Sequence, residues 1–193
     1  MPAPKGRPAR PETRQALIDS ATALIKELGY DQVSVDAIAE NAHASKRTIY
    51  RLWGSKARLV ADAVRTGALP LPQVPIADTH DLRADLIEWL GVSLDYGTDP
   101  RMASVFRALI AEQATVAGTD ASMTNIALAP TELALANRLE SAKTHGEIRP
   151  DTNIDAVVDL IIGAQTMGTL QAAPLTIPRT IGWIDSLLRG IAT

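Results

Sequence analysis

Ser34 to Lys56 reads SVDAIAENAHASKRTIYRLWGSK, and this stretch decides the fold. Ser34 suits an N-cap, and Asp36 in the following turn complements the positive end of a helix dipole. Val35, Ile38, Ala39 and Ala42 recur at spacings of three and four, which gives a short helix one apolar face. His43 and Ala44 form a turn, and Ser45 caps a second helix. With Ile49 and then Leu52 or Trp53 turned inward, Lys46, Arg47, Thr48, Tyr50 and Arg51 point outward. Two short helices joined by a tight turn, the second carrying exposed cations, describe a helix-turn-helix, whose second helix lies in the DNA major groove.

Charge placement gives a second line of argument. Lys46 and Arg47 occupy the first turn of one helix, and Lys56 and Arg58 the first turn of the next. Cations there oppose the helix dipole, at about 0.3–1 kcal/mol each on an isolated helix. The penalty reverses where an anion meets both the cation and the free amides of the helix N-terminus, and a DNA phosphate is such an anion.

These residues resemble the TetR family of bacterial transcription regulators. The resemblance rests on Ser34, Asp36-Ala37-Ile38-Ala39, Ala42-His43-Ala44-Ser45, Thr48-Ile49-Tyr50-Arg51-Leu52-Trp53 and Ser55-Lys56. It implies that Ser34, Lys46, Arg47, Thr48, Tyr50, Arg51 and Lys56, with the cap Ser45, contact DNA, Tyr50 and Lys56 through phosphates. Two positions depart from the family pattern. His43 stands where a glycine with positive φ is usual, a conformation His tolerates better than most residues. Leu52 replaces a histidine and has no hydrogen-bond donor to offer a phosphate.

Working outward, Glu12 to Gly29 forms a helix with Leu17, Ala21, Leu24, Ile25 and Leu28 on its buried stripe, completing a three-helix head. Ser55 caps a fourth helix expected to run to about Ala68, before Pro70, Pro72 and Pro75 break the chain. Residues 1–11, rich in Pro and carrying Lys5, Arg7 and Arg10, read as a flexible basic arm. The head with its linking helix therefore spans 12–68 and a larger helical body 79–193, about nine helices in an all-α fold. Residues 1–66 carry 11 Lys and Arg against 7 Asp and Glu, whereas residues 67–193 carry 8 against 15. A basic head on an acidic body assigns nucleic acid to one end, which the net charge of −3 conceals.

In the body, helices are expected over His80–Tyr96, Pro100–Val116, Ala121–Gly146 with Pro130 interrupting, Ile154–Leu170, and from Ile177 onward. The last two are apolar on more than one face, which one chain cannot easily bury. A two-fold dimer built as a four-helix bundle solves this, with Ile161, Ala164, Gly168, Ile181, Ile184 and Leu188 as interface candidates. Trp89, Phe106, Arg107, Gln113, Gln165, Thr166 and Met167 are the candidates for a small-molecule pocket.

No nucleophile motif appears, and the three histidines at 43, 80 and 145 fall at no metal-ligand spacing, so neither an enzyme nor a metal or cofactor is expected. There is no cysteine and no apolar run of about 20 residues, which points to the cytoplasm and away from a membrane, and the family resemblance implies that this cytoplasm is bacterial. The expected partners are duplex operator DNA, a second copy of the chain and a small-molecule effector. The reading is a ligand-responsive repressor on a palindromic operator. An architectural DNA-binding protein without effector is the alternative, as is a small-molecule carrier whose head has lost DNA, the latter because of Leu52.

Overall fold

The computed structural model describes residues 11–97, 99–115, 129–170 and 176–192. Its first helix, α1 (Pro11–Leu28), buries Leu17, Ile18, Ala21 and Ile25. Gly29 ends it at φ 83°. A Cβ at Gly29 would stand 3.1 Å from the Cα of Arg101, so the site needs glycine for its backbone and for the close approach of a later helix. A single 3-10 turn, Tyr30–Gln32, leads into α2 (Val35–Asn41). There the Ser34 hydroxyl accepts from the Ala37 amide at 3.0 Å. His43 then takes φ 49°. Its amide donates to the Glu40 carbonyl and that of Ala44 to the Ala39 carbonyl, at 3.0 and 2.8 Å. This is a Schellman ending with histidine in the place glycine usually takes.

Ser45 caps α3 (Lys46–Trp53), and Ser55 caps α4 (Lys56–Arg65). The linking helix stops three residues short of the expected Ala68. Gly67 turns at φ 76° and Leu69, buried, donates back to the Ala63 carbonyl at 3.0 Å. The body comprises α5 (Leu82–Gly97), α6 (Pro100–Thr115), α7 (Ala129–Thr144), α8 (Ile154–Leu170) and α9 (Ile177–Ile191). Helix α5 starts two residues later than expected, since His80 sits at φ 64° outside any helix. Pro130 lies in the first turn of α7 (Ala129–Thr144), where a missing amide costs nothing. Residues 1–10 of the basic arm and residues 121–128 of the expected helix lie outside the described residues, while Pro11 opens α1.

Two cores hold the molecule. One gathers Leu17, Ile18, Ile38, Ile49, Trp53, Leu59 and Val60 of α1 to α4 with Val105 and Leu109 of α6. The other joins Leu86, Trp89 and Leu90 of α5, Leu135 and Leu139 of α7, Val157, Val158, Ile161 and Ile162 of α8, and Ile184 of α9. Two expectations are corrected here. Ile161 and Ile184, read as dimer contacts, are 5% and 2% exposed within the single chain, because α8 turns that side toward α6 and α7 and α9 packs against α5. Trp89, read as a pocket residue, is 2% exposed and is a core residue.

Candidate nucleic-acid interface

The amphipathic register of α3 sets the surface. Ile49 and Trp53 point into the head core, and Leu52 packs half-buried against it. Lys46, Arg47, Tyr50 and Arg51 are left exposed along the opposite side, Tyr50 at 47%. The rigidity of α3 comes from behind. Trp53 donates its indole N–H to Asp62 of α4 at 2.9 Å, and Asp62 also pairs with Arg14 of α1 and Arg65. Burial pushes the Asp62 carboxyl up, but the hydrogen bonds from Trp53 and Arg65 and the charge of Arg14 outweigh it and hold the group below its ordinary value. The carboxylate therefore stays ionised and joins three helices.

At the N-terminus of α3, Ser45 accepts from the Thr48 amide at 3.2 Å and its hydroxyl lies 2.9 Å from that of Thr48. Both hydroxyls are engaged locally, and Thr48 is half-buried instead of fully outward. Lys46 reaches across the turn to Asp36 of α2 at 3.0 Å, and that hydrogen bond raises the lysine's pKa. The two helices are thus tied at the edge a duplex would meet. Exposed pairs of this kind are weak, so a phosphate can compete with Asp36 for the ammonium.

Lys56 and Arg58 are placed differently from what the sequence implied. Lys56 donates its ammonium to the Tyr30 and Val33 carbonyls at 2.8 and 2.7 Å and lies 3.8 Å from the centre of the Tyr30 ring. Burial pushes its pKa down, with Asp31 acting in the opposite sense. Two of its three N–H bonds hold the segment between α1 and α2 and so brace the head. Arg58 reaches from α4 toward the body. Its Nε donates to Glu112 of α6 at 2.8 Å, and Ser55 reaches the same carboxylate at 3.2 Å.

These contacts belong to a seam between head and body that sequence reasoning did not find. Ser104 of α6 accepts from the Tyr30 amide at 2.9 Å. Arg107, expected in a pocket, instead pairs with Asp31 at 3.2 Å. With Val105 and Leu109 in the head core, α6 is fastened to the head along its length. The only prior signal was apolar spacing, which gave Val105 and Leu109 an inward direction but no partner.

Of the other pocket candidates, Phe106, Gln165 and Thr166 are half-buried, Met167 is 53% exposed and so points away from the interior, and the side chain of Gln113 lies outside the described residues. Of the interface candidates, Ala164, Gly168, Ile181 and Leu188 are half-buried. The apolar surface left open on α8 is instead Ala156, Leu160, Gly163, Met167 and Leu170, spaced by three and four, with Leu160 at 63%.

Comparison with known proteins accounts for both parts. Residues 17–63 match the family model described as bacterial regulatory proteins, tetR family, and residues 76–180 match the tetracyclin repressor-like C-terminal domain. The chain is 32% identical over 164 residues to the uncharacterized HTH-type transcriptional regulator YdeS of Bacillus subtilis, covering 84% of this chain and 81% of that protein. It is 42% identical over 85 residues to the DNA-binding transcriptional repressor TetR of Mycobacteroides abscessus, 44% of each chain. The crystal structure of the TetR family regulator SCO0332 superposes with a TM-score of 0.62 at 26% identity, covering 94% of this chain and all of that one.

Proposed function

The chain belongs to the TetR family of bacterial transcription regulators, and from that premise we propose that it is a dimeric repressor released from a palindromic operator by a small effector. That it is a DNA-binding transcription regulator and not an enzyme follows from the family. The finer reading is supported chiefly by α6, which lends residues to the head core and also touches body helices. Its Val105 and Leu109 sit under the head, Glu112 holds Arg58 of α4, and the same helix packs on α5 and α8 in the body. A displacement of α6 by a ligand among the body helices would therefore reposition α4 and, through Asp62 and Trp53, α3.

Dimerisation supplies the other half of the reading. Leu160, Gly163, Met167 and Leu170 of α8 lie exposed, as do Gly182, Ser186 and Gly190 of α9. Added Cβ atoms at Gly163, Gly182 and Gly190 would meet nothing within 4 Å among the described residues. Apolar knobs beside small residues suit close helix packing with a second copy. The mycobacterial relative is a DNA-binding transcriptional repressor, and repression is adopted here for this chain.

An effector can weaken DNA binding only as far as it prefers the non-binding arrangement. The coupling expected is about 5- to 150-fold in affinity, and operator DNA must weaken the effector by the same factor. The test uses a duplex selected from a random pool and a compound found by thermal-shift screening, titrated with and without the duplex. Reciprocal weakening supports the switch. Equal compound affinity in both titrations refutes it and favours the architectural alternative.

A further inference from the structure

The body brings together two of the three histidines, residues that are far apart in sequence. His80 precedes α5 and His145 follows α7, yet their ring centres lie 4.5 Å apart. Each has a carboxylate two residues away, in the mirrored pairs Asp78-Thr79-His80 and His145-Gly146-Glu147. One ligand atom each from Asp78, His80 and Glu147 lie within 4.8 Å of one another.

We propose that Asp78, His80 and Glu147 bind a divalent first-row transition-metal ion that pins the segment before α5 to the turn after α7.

Three features support it. The first is charge. Asp78, Asp85 and Glu147 surround the single buried guanidinium of Arg138, at 3.5, 2.7 and 3.0 Å. The group keeps two uncompensated negative charges, the charge a divalent ion neutralises. The second is ligand chemistry. One imidazole with two carboxylates is a mixed nitrogen and oxygen set that suits zinc or manganese better than the oxygen-only sets preferred by magnesium and calcium.

The third is a prepared outer shell. Arg138 donates to both oxygens of Glu147, and the Leu82 amide donates to Oε2 at 2.6 Å. Oε1 accepts one of these bonds and keeps a lone pair. Ser141 donates to Asp78. Such outer hydrogen bonds orient metal ligands. At zinc-ligand lengths of 2.0–2.2 Å, tetrahedral ligand atoms stand about 3.4 Å apart. Asp78 Oδ1 and His80 Nδ1 already lie 3.7 Å apart, so the contraction required is of this exposed pair toward Glu147. Water completes the coordination.

The test is calorimetric titration of the tag-free, chelator-stripped full chain with zinc chloride, repeated with magnesium chloride, alongside thermal unfolding. His80→Ala removes an exposed ligand and leaves the buried Arg138 pairs intact, while His43→Ala, in the head, controls for stray imidazole binding. The proposal expects one zinc per chain and a rise in melting temperature of roughly 5–10 °C at a hundred-fold excess over Kd. His80→Ala should bind at least ten-fold more weakly, His43→Ala as the wild type, and magnesium far more weakly than zinc. Absence of zinc binding, or equal zinc affinity in wild type and His80→Ala with circular dichroism showing both folded, overturns it.

Discussion

His43 shows how much one residue can reveal. The turn chemistry of Ala42-His43-Ala44-Ser45 was legible because few residues accept positive φ, and the structure sets His43 at 49°. A left-handed residue with a Cβ carries strain of about 1 kcal/mol that glycine avoids. His43→Gly is expected to raise the unfolding free energy by that order, seen as a higher urea midpoint, and an unchanged or lowered midpoint would contradict it. Lys56 teaches the opposite lesson. Its position in the motif was readable, but its partners, the carbonyls of Tyr30 and Val33, depend on how the chain folds back after α1. Lys56→Ala leaves two carbonyls without their charged donor, and stability without DNA should fall by about 1–3 kcal/mol. Wild-type stability would return Lys56 to a role purely in phosphate binding. Arg47→Ala, on the exposed side of α3, should instead leave stability intact and cost about 1–3 kcal/mol in binding while blurring sequence preference, as a gel-shift series would show.

Helices were readable from periodicity wherever one face was clearly apolar, as in α1, α3 and α4. Periodicity fails where a helix touches two neighbours. On α8 the run Val157, Val158, Ile161, Ile162 and the run Leu160, Gly163, Met167 have equal claims to the interior, and only tertiary packing chose the first. The same limit hid the double role of α6. Salt bridges such as Arg58 with Glu112 leave no trace in spacing, being fixed by the meeting of distant helices. Within the head, Asp62 on α4 provides a pH test of such a tie. Its folded carboxyl is held below the unfolded value, so its stabilisation is complete above the ordinary carboxylate range and is lost as pH falls through the folded value. Head stability should therefore hold from pH 7 to 5 and fall below about pH 4. Asp62→Asn should reduce that acid dependence, and an unchanged dependence in denaturant titrations would reject the assignment.

At the scale of the whole molecule, the basic head and acidic body were visible as a change in charge along the chain. The seam between them was not, because α6 enters the head core from beyond the expected boundary. The same seam turns a tethered head into a positioned one, and two positioned heads can measure a distance on DNA. The interface assignment can be separated from the core beneath it. Leu160→Glu adds a charge to an exposed position and should disrupt dimers in sedimentation while retaining helical content, whereas Ile184→Glu should unfold the body. A wild type that sediments as a monomer at micromolar concentration would contradict the dimer.

The central claim is that two α3 helices, held by one dimer, read two half-sites. It is tested most directly by footprinting wild type and Leu160→Glu on duplexes selected from a random pool. The account predicts protection of a palindrome whose half-site centres lie about one DNA turn, roughly 34 Å, apart, with the variant protecting neither half at the same concentration. Protection of a single half-site, with equal affinity for wild type and variant, would contradict it.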